Sequence, residues 1–412
     1  MLKNYFKIAI AVLKRRKFFT FISLFGISFT LTILIVLAAF INNIARNDYP
    51  DRKRDRSLYI LLVDQRNEKT GGRNSGPASF YMLDQYVSKM KIPEKIAIAS
   101  VFSATNTYVN NRKLSINVKY TNDAFWDVME FDFLEGKAFT SQQINNAEKI
   151  AVISEDTRDD YFGKDVSAVG KYIETDNEKY RVCGVVKDVP ITMMYAYGNM
   201  YLPYTVSKRD VREKGLTSDY TCVLVARSKQ DLPAMKEEYQ SILAKIPMKG
   251  QEFDKIYSHA DDFVSSYTRI ILGDGMNSGV STLIIALTVF AVLFMLLPTL
   301  NLININTSRI IERSSEIGVR KAFGASSTTL VYQFITENII LTLIGGVIGL
   351  LLSFGILTWI NASGMIPNIS LSIDFYVLLL GIACCFVFGF ISGVYPAWRM
   401  SKLNVVTALK TV

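Results

Sequence analysis

Four stretches of this sequence contain no Asp, Glu, Lys or Arg, and they cover residues 18–45, 275–308, 338–373 and 375–398. Each stretch exceeds the roughly 20 residues that an α-helix needs to cross about 30 Å of hydrocarbon. The sequence therefore predicts a membrane protein with four transmembrane helices.

The basic residues are unevenly distributed along the chain. Residues 1–17 contain six basic and no acidic side chains, residues 399–412 contain three basic and none acidic, and residues 46–274 contain 33 of each sign. The neutral central region argues against nucleic-acid binding, because that function needs basic residues clustered on a folded face. Under the positive-inside rule, the N-terminus, the 309–337 loop and the C-terminus are expected in the cytoplasm.

These constraints predict four transmembrane helices with a large mixed α+β extracytoplasmic domain inserted between helices 1 and 2. The first apolar run is about twice as long as the 7–15 residues of a signal-peptide core, so we interpret it as a retained signal anchor. The expected segments are a basic cytoplasmic N-terminus (1–17), transmembrane helix 1 (18–45), the extracytoplasmic domain (46–275), transmembrane helix 2 (276–307), a cytoplasmic coupling loop (308–337), transmembrane helix 3 (338–360), a short extracytoplasmic loop (361–374), transmembrane helix 4 (375–397) and a cytoplasmic tail (398–412).

Within the large domain, alternating or β-branched segments predict strands, and two apolar-periodic segments predict helices. Strands are expected at 57–63, 96–102, 114–120, 149–153, 180–186 and 221–226, and helices at 79–90 and 232–245. The glycine-rich segment 71–77 is expected to be a flexible loop. Cys183 and Cys222 fall in predicted strands, where either a disulfide or two buried thiols would fit.

Small residues recur every four positions in the last two apolar stretches. They are Gly345, Gly349 and Ser353 in the third stretch and Cys385, Gly389 and Gly393 in the fourth. Small residues on one face let helices approach closely, so these six positions are predicted helix-packing sites. The alternative is that glycine is simply common in membrane helices.

The sequence offers little that indicates catalysis. His259 is the single histidine, which excludes a two-histidine metal site, and its pairing with Asp261 or Asp262 is a weak metal-site hypothesis. The Gly-Lys pairs lack the upstream Gly and the following Ser or Thr of a phosphate-binding loop. We therefore expect no catalytic, metal or cofactor site here, and we expect ATP hydrolysis, if it drives this protein, on a separate subunit.

Residues 308–326 read SRIIERSSEIGVRKAFGAS and predict a short amphipathic helix between transmembrane helices 2 and 3. Glu316 and Arg320 form a favourable i, i+4 pair, and Gly324 is placed to end the helix. A helix lying on lipid headgroups is the alternative interpretation. The mixed signs of its polar face favour a protein partner over an anionic membrane surface.

The same segment is similar to the E-R-x-x-E-I-G-x-R-x-A-x-G-A signature of permeases in the MacB/FtsX family of ABC transporters. Residues 131–139, 151–154 and 182–190 resemble the periplasmic core domain of that family, and residues 395–401 resemble its C-terminal end. The resemblances occur in the family order along nearly the whole chain.

The resemblance implies a permease of the bacterial inner membrane, embedded in lipid and dimeric with a second copy or a paralogue. It also implies docking of a separate ABC-type ATPase on the loop helix, through the residues that match the motif: Glu312, Arg313, Glu316, Ile317, Gly318, Arg320 and Gly324.

ATP-driven motion would then reach the extracytoplasmic domain for efflux or extraction of periplasmic cargo, with a periplasmic adaptor and an outer-membrane channel as further partners. The alternative function is FtsX-like regulation, in which the same motion activates an extracytoplasmic hydrolase without transport.

Overall fold

The computed structural model describes residues 17–109, 112–248, 252–312, 319 and 327–401. The chain divides into two units. The first, Met1–Asn43, Ile285–Met365 and Ser370–Val412, is called the helical unit after its described residues, and the second, Ile44–Ile284 and Ile366–Ile369, is an α/β domain.

Four helices in the described residues have the length and composition to cross a membrane, which confirms the predicted number of transmembrane helices. They are α1 (Lys17–Ala45), α8 (Val280–Glu312), α9 (Ser327–Ser363) and α10 (Phe375–Ser401). Helix α8 begins four residues after the expected start of transmembrane helix 2, because Gly279 has a φ of 77° and is not helical.

The α/β domain is built on a ten-stranded mixed sheet and a three-stranded sheet. Its strands are β1 (Ser57–Ile60), β2 (Leu62–Arg66), β3 (Arg73–Pro77), β4 (Lys95–Ser100), β5 (Ser103–Val109), β6 (Arg112–Thr121), β7 (Phe133–Gly136), β8 (Ile150–Ser154), β9 (Tyr172–Thr175), β10 (Glu178–Val186), β11 (Met200–Pro203), β12 (Tyr220–Val225) and β13 (Lys255–Ser258). Its helices are α2 (Phe80–Gln85), α3 (Ala124–Val128), α4 (Ser141–Asn145), α5 (Glu155–Phe162), α6 (Leu232–Leu243) and α7 (Phe263–Ile271).

In the large sheet the strands follow the order β1-β12-β4-β6-β11-β8-β10-β7, with β5 paired to β6 and β9 paired to β10. The pairs β6/β11 and β8/β10 are parallel, and β1/β12 and β4/β12 are antiparallel. Strand β1 shows how the sheet separates two cores, because successive side chains of a strand point to opposite faces. Tyr59 packs in an aromatic cluster with Phe125, whereas Leu58 and Ile60 pack in a second cluster with Met82.

Each of the six predicted strands overlaps a strand of the structure. The segment 57–63 is divided at Leu61, because β1 pairs with β12 in the large sheet while β2 pairs with β3 and β13 in the small one. The prediction of a flexible loop at 71–77 is wrong for Arg73–Pro77, which forms β3. There the edge of β2 supplies backbone partners, and the Arg73 guanidinium binds the buried Asp64 carboxylate.

The core of the large sheet contains a buried lysine. Lys119 lies in β6 with none of its surface exposed, and its Nζ donates to the carbonyl oxygens of Ser100 at 2.7 Å and Met194 at 3.3 Å. Burial away from water lowers the pKa of Lys119 to about 7.

This burial predicts a pH-dependent stability. The unfolded chain binds more protons than the folded one between the folded pKa near 7 and the usual lysine value, so the free energy of unfolding should rise by about 2 kcal/mol from about pH 7 to about pH 9. In Lys119→Met this rise should largely disappear, whereas in Lys113→Met, at an exposed position of the same strand, it should remain. Hydrogen exchange of β6 amides across this pH range measures the effect, and an unchanged slope in Lys119→Met would contradict it.

Candidate functional site

Helices α1 and α9 approach each other closely at two of the predicted packing glycines. A β-carbon added to Gly345 would lie 2.8 Å from Cγ2 of Ile27, and one added to Gly349 would lie 3.0 Å from the backbone oxygen of Ser28. The Oγ1 of Thr32 also donates to the Gly349 carbonyl oxygen at 3.2 Å. The α9 backbone therefore lies directly against the α1 backbone at Gly349 and against the Ile27 side chain at Gly345.

Helices α9 and α10 meet at two further predicted glycines. A β-carbon on Gly389 would lie 2.6 Å from Oγ1 of Thr342, and one on Gly393 would lie 3.4 Å from Cβ of Asn338. Cys385 is buried, with its sulfur against Gly346 of α9. Ser353 is fully buried and donates to the Gly349 carbonyl oxygen within its own helix at 2.7 Å.

Two glycines outside the predicted set serve the same packing. Gly346 faces Cys385, and a β-carbon on Gly381 of α10 would lie 3.1 Å from Cδ1 of Ile35. The four-residue spacing passes over Gly346, whereas Gly381 lies four residues before Cys385 and extends the predicted series of the fourth stretch by one step. The sequence signal for Gly346 is the adjacent pair Gly345-Gly346, in which two neighbouring residues face different helices.

Polar side chains link the helical unit near the C-terminal end of α1. Asn42 donates to the carboxylate of Asp374, and Asn43 donates to the Ser370 carbonyl oxygen at 3.0 Å. Asp374 also accepts from the Val377 amide at 3.0 Å, which caps the N-terminus of α10. Asp374, the one acidic residue between the last two apolar stretches, is therefore a capping residue with a partner on α1.

A second polar cluster joins three helices. The Nδ2 of Asn306 on α8 donates to Oδ1 of Asn338 on α9 at 2.7 Å and to the carbonyl oxygen of Ser392 on α10 at 3.3 Å. All three residues are at most 3% exposed. Reasoning from the sequence missed this cluster, because uncharged amides do not interrupt an uncharged stretch.

The predicted coupling residues Arg313, Glu316, Ile317, Gly318, Arg320 and Gly324 lie outside the described residues. Glu312 is the last residue of α8, and its side chain is also outside the description. The described helices that flank this segment are α8 and α9.

The first connection into the α/β domain is held by a buried arginine. The Nη1 of Arg54 donates to the carbonyl oxygens of Ile44 at 2.7 Å and Arg46 at 2.6 Å, and its Nε donates to Asp51 at 2.9 Å. The guanidinium carbon lies 3.7 Å from the ring centroid of Phe263 in α7, close enough for a cation–π contact. Arg54 thus fixes the chain where α1 ends and ties it to the core.

The second connection is held by another buried pair. Arg269 of α7 binds Asp261 at 2.6 and 3.0 Å and donates to the Asp274 carbonyl oxygen at 2.8 Å. Thr268 donates to the Ser278 carbonyl oxygen at 2.8 Å, two residues before α8 begins. The segment that leads into α8 is therefore bound along its length to α7.

The two connections meet at one backbone bridge. The amide of Tyr59 donates to the Asp261 carbonyl oxygen at 2.7 Å, and the amide of Asp261 donates back to Tyr59 at 3.0 Å. The Tyr59 hydroxyl donates to Asp51 at 2.7 Å, which is also the partner of Arg54. We call Asp51, Arg54, Tyr59, Asp261 and Arg269 the anchor cluster.

The hypothetical metal ligands do not converge. His259 contacts the Gly275 carbonyl oxygen through Nε2 at 3.0 Å, and burial together with nearby Arg269 lowers the pKa of His259. Asp261 is bound to Arg269, and Asp262 caps α7 by accepting from the Ser265 amide at 3.0 Å. Within the described residues, no three His, Cys, Asp or Glu side chains are grouped to hold a metal ion.

The two cysteines of the α/β domain are free thiols. Burial raises the pKa of Cys183 to about 11, and its Sγ contacts the Ala151 carbonyl oxygen at 3.3 Å. Cys222 is fully buried in β12. Of the two states that the sequence left open, the structure has the unpaired one.

Two protein-family models match this chain, one in its N-terminal part and one in its C-terminal part. The MacB-like periplasmic core domain family matches residues 20–242, and the FtsX-like permease C-terminal family matches residues 288–405. The chain is 25% identical over 317 residues to the uncharacterized ABC transporter permease YknZ of Bacillus subtilis strain 168, covering 77% of this chain and 75% of YknZ. It is 26% identical over 371 residues to the macrolide export ATP-binding/permease protein MacB of Escherichia coli K12, covering 86% of this chain and 54% of MacB.

The chain thus spans about half the length of the MacB relatives that it matches. Among solved structures, the extracellular domain of the noncanonic ABC-type transporter YknZ from Gram-positive bacteria is similar at 20% identity and a TM-score of 0.36. That match covers 45% of this chain and 93% of the YknZ domain.

Proposed function

This chain belongs to the family of ABC transporter permeases with a MacB-like periplasmic core domain and an FtsX-like C-terminal domain, and we propose that it transmits ATP-driven motion of a separate ATPase to its α/β domain. It acts as a dimer in the bacterial inner membrane, with both termini in the cytoplasm. The motion serves the efflux or extraction of periplasmic cargo, together with a periplasmic adaptor and an outer-membrane channel.

The anchor cluster is the observation that carries this proposal. A permease that works by transmitting motion needs firm attachment where its membrane helices enter the moving domain. In this chain, buried arginine–aspartate pairs hold the connections after α1 and before α8, and a backbone bridge joins the two. A pull on either connection would therefore reach the large sheet through β1, which contains Tyr59.

Purification of the tagged full chain from its native membrane in mild detergent tests the proposal. We expect an ABC-type ATPase to co-purify and the complex to hydrolyse ATP. A chain that purifies alone and without ATPase activity would contradict the proposal. A co-purifying adaptor and outer-membrane channel would support export, whereas a co-purifying cell-wall hydrolase would support regulation without transport.

Two substitutions in the predicted loop helix should weaken ATPase docking. Gly318→Asp adds a charged side chain where the motif has none, and Arg320→Glu reverses a motif charge, so each should weaken ATPase co-purification at least about tenfold. Membrane insertion should be unaffected, because both positions lie between the uncharged stretches 275–308 and 338–373 of the sequence.

Lys321→Glu is the matched control for this prediction. It makes the same charge reversal at the neighbouring position, which the family signature leaves unspecified. ATPase association that survives both Gly318→Asp and Arg320→Glu would refute the docking assignment.

A further inference from the structure

We propose that Asn306 and Asn338 are positioning residues for energy coupling. Their hydrogen bond, together with the Ser392 carbonyl oxygen, forms a polar joint that holds α8, α9 and α10 in one fixed register. This inference rests on the proposed function, since α8 and α9 flank the predicted coupling residues.

The position of the polar joint fits this role. Asn306 lies six residues before Glu312, the end of α8, which places it about 9 Å along the helix from that end. Asn338 lies 11 residues after Ser327, the start of α9, at about 16 Å from it. A displacement of either helix end therefore reaches the polar joint within a few turns and passes to the other helix.

Apolar packing within the single chain fixes the position of helix α8 only weakly, because much of the apolar surface of α8 is exposed. Ile285, Val292 and Leu300 each expose at least half of their side chains. Its buried residue Leu302 packs in a small cluster with Leu341 of α9 and Phe388 of α10. Apolar contacts of this kind permit sliding and rotation, whereas a hydrogen bond at 2.7 Å specifies one register.

The hydrogen bonding of the polar joint argues against a purely stabilising role. The Oδ1 of Asn306 is buried and has no hydrogen-bond partner among the described residues. A buried acceptor without a partner is destabilising, and replacing hydrogen-bonded partners with apolar side chains of similar shape is often neutral or stabilising. Leucines at these positions should thus preserve the folded bundle while removing the specified register.

Hydrogen exchange of the α/β domain in the full chain bound to its ATPase, with and without ATP, tests the proposal. We expect Asn306→Leu, Asn338→Leu and the double variant to keep the ATPase bound, and we expect the double variant, in which both partners of the hydrogen bond become apolar, to keep the thermal midpoint of the wild type. The ATP-dependent change in exchange should fall at least about fivefold. The double variant should lose no more than either single variant, because both remove the same hydrogen bond.

Asn304→Leu is the matched control, because Asn304 is exposed and lies two residues from Asn306 on the same helix. A full ATP response in the double variant, an equal loss in Asn304→Leu, or a loss in the double variant that only accompanies a lower thermal midpoint would each overturn the polar joint. Absence of a bound ATPase on the wild-type chain would instead overturn the proposed function and the polar joint with it.

Discussion

Replacing Arg54 with methionine is expected to lower the free energy of unfolding of the α/β domain by about 3–5 kcal/mol, because it leaves a buried carboxylate without its cation. Arg54 and Asp51 expose only 4% and 3% of their side chains. Without the guanidinium, Asp51 would keep the Tyr59 hydroxyl as a donor, and its Oδ1 already has no partner among the described residues. The carbonyl oxygens of Ile44 and Arg46 would lose their donor as well.

Arg52→Met is the matched control for this effect. Arg52 lies two residues away and pairs with Asp132, but both side chains are 47% exposed, so its loss should cost less than about 1 kcal/mol. Hydrogen exchange of the β1 and β12 amides in the full chain measures the loss of stability in both variants, since these strands form one edge of the large sheet. Equal effects of the two substitutions would contradict the anchoring role of Arg54.

The anchor cluster could not have been identified from sequence. Residues 46–56 contain eight charged side chains in eleven positions, a pattern that ordinarily indicates a solvated surface. Burial of Arg54 depends on Met193 and Phe263, which are more than 130 positions away in the chain. The four spans, by contrast, were predictable because length and the absence of charge are local properties of each stretch.

The same distinction applies to the strands. Strands β8 and β12 are buried on both faces and therefore consist mainly of apolar and β-branched residues, a composition that can be recognised in the sequence. Strand β3 contains Arg73, Asn74 and Gly76 and has no such pattern, and it forms because β2 offers an unpaired edge. The availability of such a pairing edge depends on the tertiary structure, so β3 could not be predicted from its own residues.

Glycines in the apolar stretches indicate where helices can pack closely, but they do not show which glycines actually do so. Gly349 and Gly355 lie on the same helix and are both flanked by apolar residues. Gly349 touches α1, whereas a β-carbon on Gly355 would have no atom within 4 Å. The local sequence therefore does not distinguish a glycine at a helix contact from one that faces open space. Substitutions at Gly349 and Gly355 can be compared directly, because the two residues lie on the same helix.

Gly349→Leu should destabilise the helical unit by about 3 kcal/mol, the upper part of the range for overpacking. The new side chain would begin 3.0 Å from the Ser28 carbonyl oxygen and 3.2 Å from Cβ of Leu31, and backbone at such a contact cannot rotate away. Separation of α1 from α9 would also break the hydrogen bond from Thr32 to the Gly349 carbonyl oxygen. The expected result is a markedly lower thermal midpoint of the detergent-purified chain and a lower yield of monodisperse protein.

Gly355→Leu provides the comparison that makes this result interpretable. It introduces the same side chain into the same helix six positions later, where leucine meets open space and has the higher helix propensity. Its thermal midpoint should equal or slightly exceed that of the wild type. An equal loss of stability in both variants would contradict this prediction. It would show that a larger side chain at either α9 glycine destabilises the helical unit, whether or not that glycine contacts α1.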